Sequence, residues 1–329
     1  MITNSNVKKK LGEIAYYAYN HADQANGIGL INGEMGLCIN LSHIAKFTLN
    51  DDLKAKADQL LDRLYTNINL SLPINFSDGL TGIAWGIQHI VLNSFATGDI
   101  NAILKDIDVL QTEVTKYFPA REYSFLTGFI GQIIYIISRL KKGSCQEEML
   151  TLQLRIALIS QIERLSYVVK HESVLYSTPL KSDVYWDLPI IAQILECLRN
   201  MGIFKSCVAE TATIFHQKII DLRPNDYFHK LMHQYMLLSL SDIGFPILEQ
   251  YHYPLVHPLP ESLLSRYIYE IQLHYRLSKL KPEFKSSYLE QKKKFVTQFE
   301  LWSPELFFSS MTDGYRGFYR ILELLKDGY

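Results

Sequence analysis

Asp78 and Asp313 stand in the same local setting, an acidic residue directly before Gly-x-x-Gly and an apolar run. Asp187 heads another apolar run, DLPIIAQILECL. Two carboxylates facing one cavity can divide acid and base work when their environments push their pKa values apart. Asp78, Asp187 and Asp313 are therefore the candidate catalytic residues. Their competing use is structural, because Asp is a good helix N-cap. Asp183 and Trp186 lie just before Asp187 in SDVYWD, and a carboxylate beside an indole suits a polar ligand. Glu34, Tyr315 and Arg316 fall between paired glycines, at positions facing a cavity or its rim. A guanidinium such as Arg316 can grip a carboxylate or phosphate in a bidentate fork. His229 and His233 are spaced i, i+4 in FHKLMHQY, which makes half of a metal site. No Glu follows His229, so the metalloprotease pattern is absent. These seven residues are ligand-binding candidates, and no metal or cofactor is expected.

The elements that position these residues are helices. Apolar residues recur at helical spacing, as in Leu60, Leu61, Leu64 and Ile191, Ile194, Leu195, Leu198, while period-2 alternation is rare. Four segments share a polar residue, Gly-x-x-Gly and an apolar helix: INGEMGLCINLSHIA, SDGLTGIAWGIQHIV, LTGFIGQIIYIISRL and TDGYRGFYRILELLK. Their glycine pairs, Gly33/Gly36, Gly79/Gly82, Gly128/Gly131 and Gly314/Gly317, use 8 of the 17 glycines. The first three pairs are 46 and 49 residues apart, and the last follows after 186, about four more periods. Three glycine-free units fit the gap, at 182–198, 225–240 and 265–277, which makes seven. A unit of this length holds two helices of ~15 residues and two loops. Glycine inside a helix costs ~1 kcal/mol relative to Ala, so a repeated pair implies close backbone approach. Ser77-Asp78, Thr127 and Thr312-Asp313 are the expected N-caps.

Helix pairs at a fixed period form a solenoid or a ring. The count and the likeness of first and last units favour the ring. The reading is an all-α, α/α toroid of about seven helix pairs, in one domain over 1–329, with the glycine-headed helices inside.

The repeated pattern resembles the LanC-like family, which includes lanthionine synthetase C, the cyclase of lanthipeptide biosynthesis. The first three glycine segments resemble its first three repeats, and TDGYRGFYRILELL resembles its final one. The resemblance implies a seven-layer α/α barrel. In active cyclases it implies a zinc ion held by two cysteines and a histidine, in Cys-x-Gly and Cys-His-Gly motifs of the later repeats. Zinc there lowers a peptide thiol's pKa for attack on a dehydroamino acid. This sequence has neither motif, and no zinc ligand carries over. The function implied is binding, or helping to modify, a ribosomally made peptide, without the zinc cyclase. The alternatives are an α/α-barrel glycan hydrolase or lyase using Asp78 and Asp187, with Trp186 as a sugar platform, and a non-catalytic scaffold.

Composition narrows the partners. Apolar residues are 48% and charged residues 20%, which excludes a disordered chain. The formal net charge is −1, which gives no basic field for nucleic acid. The longest apolar stretches fall short of a bilayer span, and no signal-length apolar segment follows the first residues, so a cytoplasmic location is expected. Cys38, Cys145, Cys197 and Cys207 form no Cys-x-x-Cys pair and are read as reduced thiols. Lys292, Lys293 and Lys294, with Glu290 and Glu300 nearby, read as a solvated helix face. The stretch 244–262, with four prolines, is a connector or a loop contacting ligand. The expected partner is a peptide or a protein, with no nucleic acid and no membrane.

Overall fold

The computed structural model describes residues 4–21, 27–31, 33–115, 122–141, 148–176, 187–223, 227–241, 270–271, 273–275, 277–279, 281–301 and 303–304. Among the described residues all regular structure is helical. The helices are α1 (Asn4–Asn20), α2 (Glu34–Thr48), α3 (Asp51–Asn67), α4 (Leu80–Leu92), α5 (Ile100–Val114) and α6 (Phe129–Leu140). Then follow α7 (Glu148–His171), α8 (Asp187–Met201), α9 (Lys205–Ile220), α10 (Tyr227–Ser241) and α11 (Lys285–Leu301). The described residues within the expected segments 182–198, 225–240 and 265–277 are helical. No helix among the described residues is long and apolar enough to cross a membrane.

The chain divides into two compact units. The first holds Met1–Pro73, Ser77–Gly98 and Val256–Tyr329 and carries α1 to α4 and α11. Here α2 packs against α1, α3 and α4, and α1 against α11. The second holds Ile74–Phe76 and Asp99–Leu255 and carries α5 to α10. In it α8 packs on α6 and α10, while α7 packs on α5 and α9. Helices two apart in sequence are thus neighbours, which sorts α6, α8 and α10 into one layer and α5, α7 and α9 into another.

Burial distinguishes the layers. In α2 every residue from Met35 to Ala45 is buried, whereas α3 buries only Leu53, Ala57, Leu60 and Leu64. Those four lie on one stripe, as an amphipathic outer helix requires. A helix buried all round, such as α2, is covered by neighbours on every side. The corner between α2 and α3 is tight. Leu49 adopts a left-handed conformation (φ 57°), and the Asn50 side chain then accepts the Leu53 N–H at 3.0 Å to start α3.

A further device joins α5 and α6. Arg139 and Asp108 are fully buried and meet at 2.7 Å. Tyr135 donates its hydroxyl to the same carboxylate at 2.6 Å, and the guanidinium also reaches Asn101 at 3.1 Å. Burying two charges is costly, so this pair persists only because its hydrogen bonds are largely satisfied.

Candidate functional site

The candidate site is built at the starts of the glycine-headed helices. Gly33, Gly79 and Gly128 are the N-caps of α2, α4 and α6, all extended, with φ near −110°. Any residue adopts that conformation, so space and not φ demands glycine. A Cβ at Gly128 would stand 2.6 Å from the Glu122 carbonyl carbon and 2.7 Å from the Ser124 nitrogen. At Gly33 it would run into the Gly27 and Gly29 carbonyls, and at Gly131 into Phe76 and the Phe125 carbonyl. The expected polar caps are thereby displaced: the N-cap itself is glycine, and Thr127 lies exposed just before one.

Backbone carbonyls cap these helices instead. The first N–H of α2, from Glu34, donates to Gly27 at 3.1 Å. That of α4, from Leu80, donates to Pro73 at 2.8 Å, and that of α6, from Phe129, to Glu122 at 3.0 Å. The acceptor lies seven residues back each time, so one loop conformation recurs three times. At α2 the next two amides, of Met35 and Gly36, also donate to this loop, through Ile28 and Gly29. The orphan donors that would make a helix start an anion site are occupied there.

A second bond also recurs. The residue four before each helix donates its N–H to the following repeat. Leu30 donates to the Ser77 carbonyl at 2.8 Å, and Phe76 to the Leu126 carbonyl at 3.0 Å. The third case is Phe125, whose N–H goes to the Asp187 carboxylate Oδ1 at 2.7 Å. Asp187 is buried at the first position of α8. Its side chain takes the place that a main-chain carbonyl holds in the two earlier repeats.

The other expected site residues fall as follows. Asp78 is exposed, and its Oδ2 accepts the Ser77 hydroxyl at 2.6 Å. Glu34, mostly buried, pairs with Arg63 of α3 at 2.9 Å. His233 is buried in α10 and donates Nε2–H to the Ile219 carbonyl at 2.7 Å. Burial holds its pKa below the ordinary histidine value, and the Arg223 charge adds to this against the opposing pull of that hydrogen bond. The backbone of His229 belongs to α10, but its side chain lies outside the described residues. Asp183, Trp186, Asp313, Tyr315 and Arg316 also lie outside them, as do Gly314, Gly317 and the proline-rich 244–262 stretch.

Cys38 and Cys197 are not set up as thiolate ligands. Burial pushes the Cys38 thiol up to about 12, and its Sγ donates to the Ala57 carbonyl at 3.4 Å. Burial also raises Cys197, within α8. A thiolate ligand needs the opposite setting, an electropositive one that lowers its pKa. Among the described residues no three His, Cys, Asp or Glu side chains converge.

Sequence reasoning missed three features. The seven-back bond has no side-chain signal, since its acceptors are Gly27, Pro73 and Glu122. Arg139 did carry one, being a lone cation inside the apolar run FIGQIIYIISRL. The third is a pair of histidines, His43 on α2 and His89 on α4, whose Nε2 atoms meet at 2.8 Å. They are 46 residues apart, one repeat period, so the spacing itself pointed to them.

Comparison with known proteins fits this geometry. No curated protein matches the chain. Residues 24–185 match the family model described as lanthionine synthetase C-like protein. That stretch contains α2, α4 and α6 with all three copies of the recurring loop. By its glycine-headed helices and the family match alike, the chain is similar over residues 24–185 to the lanthionine synthetase C-like family.

Proposed function

We propose that this protein binds, or helps to modify, a ribosomally synthesised peptide without zinc-cyclase chemistry. The family match over 24–185 supports the peptide class. The sequence carries the second half of the reading: none of its four cysteines stands in a Cys-x-Gly or Cys-His-Gly motif. In this reading the helix pairs number seven and close into a ring in one domain. The partner is a peptide or a protein, met in the cytoplasm. Asp78, Glu34, Tyr315 and Arg316 are its polar contacts.

Asp187 weighs against the glycan-enzyme alternative. That reading needs a carboxylate free to hand a proton to a substrate. Asp187 is buried and engaged with the Phe125 amide at 2.7 Å. A catalytic role for it would require breaking a bond that seats a loop.

The test uses the full chain, immobilised, against synthetic peptides rich in Cys, Ser and Thr and against oligosaccharides. Saturable binding of peptides, weakened by Arg316→Ala, is the expected result. Binding or cleavage of oligosaccharides with no peptide binding would overturn the proposal.

A further inference from the structure

His43 and His89 occupy equivalent positions of the first two repeats, one period apart on α2 and α4. Their Nε2 atoms are 2.8 Å apart and their ring centroids 5.1 Å apart. The difference, 2.3 Å, is about twice the distance from an imidazole centre to its own ring atom. The rings therefore meet head-on, nitrogen to nitrogen. Two imidazoles bound to one metal ion instead point obliquely at a third centre. The geometry is that of a hydrogen bond with one proton between the rings.

Such a pair counts protons. With both rings neutral, one donates Nε2–H and the other accepts while holding its own proton on Nδ1. A first added proton can go to the donor's Nδ1, and the bond becomes charge-assisted and stronger. A second must go to the accepting Nε2. Two N–H groups then face each other at hydrogen-bond distance, and two cations meet.

Aromatic side chains pack on both rings. His43 is buried, and Phe95 packs its ring on it edge-on at 4.6 Å. Trp85 stacks on His89 at 5.2 Å. On α2 itself the charged groups are Glu34, paired with Arg63, and Lys46. Lys46 sits over the Phe95 ring and reaches the Asn93 carbonyl at 3.3 Å. α4, LTGIAWGIQHIVL, holds no carboxylate, lysine or arginine. From α1, Lys8 lies over Phe47. From α3, Asp51 and Asp52 stand at the corner after α2, with Asp52 accepting the Tyr16 hydroxyl, and Lys54 pairs with Asp58.

We propose that His43 and His89 form a proton-counting clasp between α2 and α4, closed with no or one added proton and opened by the second. The same helices are also tied at their starts, where Leu30 and Ile31 donate to the Ser77 carbonyl. Acidification thus frees the later turns of the two helices while the loop end stays joined.

The sign is set by the second step. An unfolded histidine titrates near ~6.5. The clasp takes its second proton at lower pH than that. The stability it contributes is kept through the first step and is lost progressively as pH falls below about 6.5 to that second step.

Two measurements on the full chain test it. Imidazole nitrogen shifts, followed by NMR from neutral to acid pH, are expected to show the two rings titrating as a coupled pair in two separated steps, the second below ~6.5. Thermal melts of His89→Gln, which keeps a hydrogen-bonding group that does not titrate, are expected to lose several degrees less than the wild type on acidification. Independent titration of both rings near ~6.5 would overturn the clasp. So would equal acid sensitivity of the two proteins. If His89→Gln does not fold, the wild-type titration decides alone.

Discussion

Replacing Asp187 separates a loop-seating role from a catalytic one. Its Oδ1 accepts the Phe125 N–H at 2.7 Å, and both residues are buried. Asp187→Ala leaves that amide without its carboxylate. A hydrogen bond to a charged group contributes about 1.5–3 kcal/mol. A carboxylate in the first turn of a helix adds about 0.3–1 kcal/mol through the macrodipole, and Asp187 opens α8. The variant should therefore lose about 2–4 kcal/mol. At about 2–4 °C per kcal/mol for a unit of this size, that is roughly 5–15 °C in melting temperature. Asp187→Asn keeps an oxygen facing the amide and loses only the charge, so it should retain about half of the stability lost in the alanine variant. Urea unfolding followed by far-UV circular dichroism measures both. Asp187→Ala within about 0.5 kcal/mol of wild type would refute the loop-seating argument. A catalytic carboxylate would behave differently, with Asp187→Asn stable but inactive in any turnover assay.

Other perturbations give distinct signatures. Gly128→Ala pushes a Cβ into the Glu122 and Ser124 backbone and should cost about 1–3 kcal/mol in the same urea assay, whereas Gly12→Ala in α1, where nothing lies within 4 Å, should stabilise by about 1 kcal/mol. Equal effects of the two would refute the spatial reading. Asp108→Ala strands the buried Arg139 charge and should cost about 3–5 kcal/mol, while Asp108→Leu combined with Arg139→Met should cost less than the alanine variant alone. His274 is buried, and burial lowers its pKa to about 4. The unfolded chain takes that proton first, so about 3 kcal/mol of stability is lost as pH falls from ~6.5 to about 4. His274→Gln should flatten the stability–pH profile by that amount, and an unchanged profile would refute it.

The sequence made the repeat visible because its cause is steric. Only glycine fits where a Cβ would enter a neighbouring backbone, so close approach at Gly33, Gly128 and Gly131 leaves a trace in residue type. The expected caps at Ser77-Asp78 and Thr127 followed the general preference for polar N-caps. That preference assumes a side chain must satisfy the first amides. Here the preceding loop does so with carbonyls from Gly27, Pro73 and Glu122. Such bonds are blind to side-chain type, so no residue pattern records them. Asp187 was readable as a residue with a role, yet its partner, Phe125, lies 62 positions away and donates a main-chain group. His43 and His89 were legible in principle, since their spacing equals the first repeat interval.

The central claim is the proposal that this protein handles a peptide without a zinc-thiolate centre. It is tested most directly by metal analysis of the full chain, purified without chelator from zinc-supplemented cells. The account predicts zinc well below one ion per chain, unchanged when Cys38, Cys145, Cys197 and Cys207 are replaced by serine. One zinc per chain, lost on any of these cysteine replacements, would contradict it.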